Sequence, residues 1–256
     1  DPSNRDPAYA RTHLRTLCDD RARAGSSQGG SENASFPLGR RRAVLEADTA
    51  ALLARIAVID GAGFCSFERK ALAAAEPDLA RRALARILVT ISGAVYAPRG
   101  ARLDRLLGAL TGAEGYAART LAGCRIVPYR GEILVCREPA AARERVVITR
   151  AGAYRWDNRF TLHVARNDLG SGVALEINRL GRNGWAQLTA AEPRLRATPI
   201  PQPVRLTLPA VFAGGQLVAA PHLEFGAVSA ASAQGFVAVA AFAPTIPLAG
   251  PVFGVV

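Results

Sequence analysis

The chain has 256 residues, half of them apolar, and a formal net charge of +11. That length and apolar content allow one or two domains with a sizeable core and exclude global disorder. Cys18, Cys65, Cys124 and Cys136 show no Cys-x-x-Cys spacing, and His13, His163 and His222 are scattered. This argues against a zinc site or a disulfide framework and fits a reducing cytoplasm.

Excess positive charge favours a polyanionic partner, because neutralising phosphates releases counterions. A basic protein with no nucleic-acid role is the plain alternative. Nearly all the basic residues are Arg, Lys70 being the single Lys. A GC-rich genome explains that bias as well as function does, although Arg also gives forked, stackable phosphate contacts.

Along the chain, Pro7 suits the first turn of a helix running to about Cys18, which places Arg11 and Arg15 four apart on one face. The stretch Ala24–Ser35 is rich in Gly and Ser and reads as a flexible loop. After Arg40, Arg41 and Arg42, the spacing of Leu45, Leu52, Ile56 and Ile59 predicts a helix ended by Gly61. Residues 64–67 read as a short extended link. Pro77 opens a helix in which Leu79, Ala83, Ile87 and Ile91 recur every four residues, with Arg81, Arg82 and Arg86 expected on its outer face. Leu103, Leu106, Leu107 and Leu110 mark a further helix, closed by Gly112.

The pattern changes after Gly115. Strands are predicted over Thr120–Val127 and Glu132–Arg137, then Val146–Ile148. Tyr154, Trp156, Phe160, Leu162 and Val164 alternate around the turn Asp157-Asn158. Val173, Leu175 and Ile177 alternate again; Leu217–Ala220 and Phe236–Phe242 complete the β-type runs. Short helices are expected near Trp185–Ala191 and Val204–Phe212. The apolar stretch Ala227–Val256 is broken by Gly235, Pro244, Pro247, Gly250 and Pro251, so strands with turns fit it better than a membrane span. The fold class is therefore α+β: a helical domain over 1–113, followed by a β-rich α+β domain over 114–256.

No glycine cluster has the strand–loop–helix context that a phosphate site needs. Gly29-Gly30-Ser31 lies in the loop, Gly170-Ser171-Gly172 reads as a hairpin turn, and Gly214-Gly215 precedes a strand. Ser92 and Ser171 lack His and Asp partners in a local motif, and Asp19-Asp20 reads as a helix end. His163 reads as a half-buried strand residue and His222 as structural. The residues point to no catalytic, ATP-binding or metal site.

The opening string carries more information than any of these. Asp1-Pro2-Ser3-Asn4-x-Asp6-x-x-Tyr9-x-Arg11-x-x-Leu14-Arg15 resembles the segment that leaves the ATP-binding domain of bacterial tRNA(Ile)-lysidine synthetases. Residues 119–125 and 136–139 resemble a paired element of that family, and Trp156-Asp157-Asn158-Arg159-Phe160 resembles its Trp-Asp-Gly-Arg-Phe strand turn. Residues 208–212 and 217–223 resemble its late Leu-Pro-Ala and Val-Pro-His-Leu elements. The resemblance covers nearly the whole chain and is weakest over residues 19–38. Thr12 stands where many relatives have Asn.

The resemblance implies an ATP-dependent ligase, using ATP with Mg. It adenylates the wobble cytidine of a CAU-anticodon tRNA(Ile), which free lysine then attacks. The family's ATP site is a Ser-Gly-Gly-x-Asp-Ser loop, which this sequence does not contain. The chain therefore resembles the C-terminal, tRNA-recognising part of such an enzyme, inactive alone and paired with an N-terminal catalytic domain in the cytoplasm. Arg11 and Arg15 would either bind that domain or face tRNA phosphates. Arg40, Arg41, Arg42, Arg81, Arg82 and Arg86 are tRNA-binding candidates or a solvated face. The alternatives are a non-catalytic protein-interaction module, or a truncated gene product without an independent role.

Overall fold

The computed structural model describes residues 29–112, 115–166, 174–226 and 236–248. Two compact units divide the chain, Asp1–Ala47 and Asp48–Val256. Helix α1 (Gly29–Ile56) begins inside the stretch expected to be a loop, so residues 29–35 are helical. Extending an existing helix adds one hydrogen bond per residue and avoids a second nucleation step. Pro37 still removes one N–H from this extension.

The helix stops at Ile56, earlier than the apolar spacing predicts. Ala57–Asp60 is strand β1, paired antiparallel with β2 (Phe64–Phe67), the segment expected to be a short extended link. Ile56 and Ile59 are three apart, which mimics a helical stripe, but Val58 and Ile59 are β-branched and pair with Ser66 and Cys65. The turn between the strands closes through Gly63 N to Asp60 O (2.9 Å) and Ala62 N to the Asp60 carboxylate (2.7 Å).

Three further helices follow: α2 (Arg69–Ala73), α3 (Pro77–Ser92) and α4 (Gly100–Thr111). Helix α3 begins as its sequence predicts. Pro77 sits in the first turn, and the Glu76 carboxylate accepts from Leu79 N at 2.9 Å. Ala80, Ala83, Leu84, Ile87, Leu88 and Ile91 form its buried stripe. Arg69 holds the end of α4, donating to the carbonyls of Leu110 and Gly112.

Strands β3 (Arg119–Leu121), β4 (Cys124–Tyr129) and β5 (Glu132–Arg137) complete a five-stranded antiparallel sheet of order β1-β2-β5-β4-β3. The single strand expected over 120–127 is split by a turn, because Ala122 and Gly123 both take positive φ (51° and 73°). Strand β2 pairs with β5, so hydrogen bonding crosses the 113/114 division. One face of the sheet presents Cys65, Phe67, Cys124, Ile126, Ile133 and Val135 to the buried stripes of α1, α3 and α4. The other presents Val127, Leu134 and Cys136 to a second core. Residues 133–136 are therefore apolar without interruption, as a strand covered on both faces must be.

That second core contains Leu188 of α5 (Gly181–Ala191), Val204 of α6 (Gln202–Arg205), and Ala210 and Phe212 of strand β10. A helix over 204–212 is not formed: Pro209 lacks an N–H and opens β10 (Pro209–Ala213) instead. Strand β10 lies in a four-stranded sheet ordered β11-β10-β9-β6, with β6 Val146–Ile148, β9 Leu175–Arg179 and β11 Gln216–Ala219. A three-stranded sheet is ordered β12-β8-β7, with β7 Gly152–Trp156, β8 Phe160–Arg166 and β12 Phe236–Phe242. Between these two sheets lies a third core that includes Trp156, Phe160, Leu162, Ile177 and Val211. The fold is α+β, helices first and a β-rich region after. Val173 and the turn expected at 170–172 lie outside the described residues, as does most of the stretch 227–256 apart from 236–248.

Candidate nucleic-acid interface

The Trp-Asp-Asn-Arg-Phe string forms the tip of the β7–β8 hairpin, and its polar residues are architectural. Asp157 and Asn158 both take φ 53°, the left-handed geometry that Asp and Asn tolerate and Gly takes freely. The Asp157 carboxylate accepts from Arg137 (3.0 and 2.8 Å) and from Arg159 Nε (2.8 Å). Arg159 is 1% exposed and lies 4.9 Å from the Phe160 ring centre. Burial pushes its guanidinium below its ordinary range, and Asp157 pulls it back up. Trp156 donates to the Glu144 carbonyl, and the Glu144 carboxylate accepts from Asp157 N.

The chemically open surface lies elsewhere. A groove of about 720 Å³ runs between α4 and the edge strand β3. Arg102 and Arg105 enter it from α4, three residues apart and therefore neighbours on the helix surface. Arg119 comes from β3 and Arg125 from β4, the next strand in. Leu106, Ala118, Thr120 and Leu121 complete the lining. None of the four guanidinium groups has a hydrogen-bond or ion-pair partner among the described residues. In contrast, Arg81, Arg137, Arg155, Arg159, Arg179, Arg194 and Arg205 all donate within the protein.

Three features shape the groove. Leu103, Leu106 and Leu110 anchor α4 in the core, leaving Arg102 and Arg105 exposed. The one carboxylate of α4, Asp104, is held by Arg81 Nε at 2.7 Å and does not line the groove. Tyr116 donates to the Ile126 carbonyl (3.1 Å) and so pins the segment that leads into β3. Burial pushes its phenol up to about 12, against the pull of Arg119, so it stays neutral. The arrangement is four cations around a cleft with no anion among its lining residues, and it can hold phosphates.

The other predicted positions are dispersed. Arg82 is exposed on α3, while Arg86 is buried (5% exposed) and donates to the Leu248 carbonyl, so it is not on the outer face. Arg82 and Arg86 share a helix face, but from Ala83 onward nearly every residue of α3 is buried, so Arg86 is covered one turn beyond exposed Arg82 and its guanidinium is satisfied there. Arg40, Arg41 and Arg42 are exposed on α1 within the first unit. Asp1, Pro2, Ser3, Asn4, Asp6, Tyr9, Arg11 and Arg15 lie outside the described residues, as do Asp19, Asp20 and Ser171.

Ser92 caps α3, donating to Val89 O and accepting from Ala94 N. His163 is exposed on β8 and not half-buried. His222 Nε2 lies 2.9 Å from the Gly61 carbonyl and donates to it, and its buried Nδ1 finds no partner among the described residues. Burial pushes this imidazole below its ordinary value, the Gly61 bond opposing. Among the described residues, no three His, Cys, Asp or Glu side chains cluster as metal ligands, and no helix is long and apolar enough to cross a membrane.

No protein-family model matches the chain. A tRNA(Ile)-lysidine synthase of Ruegeria pomeroyi is 29% identical over 221 residues, covering 86% of this chain. A second tRNA(Ile)-lysidine synthase, of Anaplasma marginale, is 25% identical over 166 residues, or 64% of the chain. The chain is similar to tRNA(Ile)-lysidine synthases over most of its length. It spans about half the length of the Ruegeria relative (49%) and 36% of the Anaplasma one. The arginine groove escaped sequence reading. The three-residue spacing of Arg102 and Arg105 was its one local sign. Bringing Arg119 and Arg125 beside them takes the β3–β4 hairpin.

Proposed function

We propose that this chain is a tRNA-holding portion of a tRNA(Ile)-lysidine synthase. It would act with an ATP-using catalytic portion that adenylates the wobble cytidine of CAU-anticodon tRNA(Ile) and attaches lysine. ATP and Mg would belong to that portion, while this chain fixes the position of the tRNA body in the cytoplasmic enzyme. The arginine groove carries the reading: four guanidinium groups around one cleft have no partner among the described residues, and phosphate is the polyanion that the relatives' tRNA substrate supplies. Exposed Arg82 on α3 and Arg40, Arg41 and Arg42 on α1 would add diffuse attraction.

The test is direct titration of the purified chain with CAU-anticodon tRNA(Ile), followed by fluorescence anisotropy at 50 and 200 mM salt. Binding that weakens with salt is expected. The same protein mixed with ATP, lysine and tRNA should leave the cytidine unmodified. Absence of tRNA binding at 50 mM salt, or lysidine formed by the pure chain, would refute the proposal.

A further inference from the structure

We infer that the groove of Arg102, Arg105, Arg119 and Arg125 holds an RNA strand by its phosphates alone and is blind to base sequence; this rests on the tRNA-holding role proposed above. The lining decides the matter. Among the described residues it offers four cations and one hydroxyl, Thr120, with no aromatic ring and no amide side chain, so a base could meet only the guanidinium groups that the phosphates also claim. Its remaining groups, Leu106, Ala118 and Leu121, are aliphatic. Sequence-reading RNA sites present stacking platforms and matched donor–acceptor edges. Backbone contacts fix register without carrying sequence information.

The four cations also come from three elements, α4, β3 and β4, that are fixed independently. Helix α4 is anchored by its leucines and by Arg69 at its end, and the strands by their pairing and by Tyr116. Such a frame fixes the backbone positions of the four cations before binding, so that only the side chains themselves lose freedom when phosphates arrive. Discrimination of the correct tRNA must then lie outside this groove.

The experiment compares three forms of the full chain: the native protein, a variant carrying Arg102→Gln, Arg105→Gln, Arg119→Gln and Arg125→Gln, and a variant with Lys at the same four positions. Each is titrated with CAU-anticodon tRNA(Ile), with an unrelated tRNA, and with tRNA in the presence of Mg-ATP as competitor, at 50 and 200 mM salt. Four phosphate contacts give a log–log salt slope of about −2.8 to −3.6, or about 50- to 150-fold weaker binding across that range. The Gln variant should lose most of that slope, equally for both tRNAs. The Lys variant should keep it, because charge is retained while the planar fork is lost. Arg102, Arg105 and Arg119 are exposed and Arg125 is half-buried, and circular dichroism of each variant checks the fold.

An unchanged slope in the Gln variant would overturn the assignment while leaving the tRNA-holding role intact. A loss confined to the CAU tRNA would show base reading and overturn the phosphate-only mode, whereas a Lys variant that loses affinity equally for both tRNAs shows the phosphates held by the forked guanidinium groups and supports it. Displacement of tRNA by Mg-ATP at site-equivalent concentration would make the groove a nucleotide pocket and overturn it as well. If the native chain binds neither tRNA, the functional proposal itself falls and this inference with it.

Discussion

Replacing Asp157 by Asn isolates the interaction that holds the β-rich half together. The carboxylate is nearly buried and takes three charge-assisted hydrogen bonds, two from Arg137 and one from Arg159. Its two partners differ in their alternatives. The Arg137 side chain is 12% exposed and keeps a 2.9 Å bond to the Ala141 carbonyl. The Arg159 side chain is 1% exposed, and its remaining acceptors, the carbonyls of Gly63 and Thr207, lie at 3.5 and 3.4 Å, at the limit of useful hydrogen bonding. The substitution keeps the shape and removes the charge, leaving the Arg159 guanidinium buried without a counter-ion. Breaking a buried pair in this way costs about 3–5 kcal/mol, against a total stability of about 5–15 kcal/mol for an ordinary domain. Arg159→Met removes the stranded charge along with its partner, so Asp157→Asn with Arg159→Met should be less destabilised than the sum of the single changes by at least about 1 kcal/mol. Urea unfolding followed by tryptophan fluorescence measures all three, since Trp156 is buried beside the turn. A loss below about 1 kcal/mol for Asp157→Asn, or strict additivity in the double variant, would show that the cluster does not stabilise the hairpin as argued.

Two further outcomes concern the end of α3 and the buried thiols. Gly93, at the end of α3, has φ +69°, and a Cβ there would sit 2.5 Å from Asp157 O and 2.9 Å from Arg159 Cγ, whereas Gly181, at φ +62°, has open space. Gly93→Ala should therefore cost about 2 kcal/mol or more and Gly181→Ala only about 1, by urea midpoint; equal costs would mean that the α3 end and the hairpin tip are not in firm contact. The buried thiols make the second case. Burial pushes Cys65 and Cys124 up to about 12 and Cys136 up to about 11. Their folded values lie above the unfolded one near 9, so their contribution to stability is complete below pH 9. It is lost as pH rises toward 11–12, by at most about 1.4 kcal/mol per pH unit for each thiol. In a Cys18→Ser background, the native protein should not react with a disulfide reagent at pH 8, and its stability should fall steeply above pH 9; prompt labelling, or stability flat to pH 10.5, would refute the burial argument.

What could be read from residues alone was local. The α3 helix announced itself because Pro77 and a four-residue apolar stripe act within a few turns, while the Glu76 cap emerged with the structure. The β7–β8 hairpin did so because Asp157-Asn158 is a turn pair flanked by alternating side chains. The likeness to lysidine synthases, too, was legible, since ordered strings such as Trp156–Phe160 persist in sequence whatever their contacts. The end of α1 was not legible: Ile56 and Ile59 satisfy a helical period and a strand equally, and only pairing with Phe64–Phe67 makes Ala57–Asp60 extended. Nor was the burial of Arg86, whose neighbour Arg82 has the same chemistry one turn earlier on the same helix and is exposed. The groove was the least legible feature, because its charge is gathered from α4, β3 and β4. Local chemistry sets helices, turns and caps through hydrogen bonds within a few residues. Which charges are neutralised and which are left facing one another depends on pairings across long stretches of chain, and those exist only once the sheet has closed.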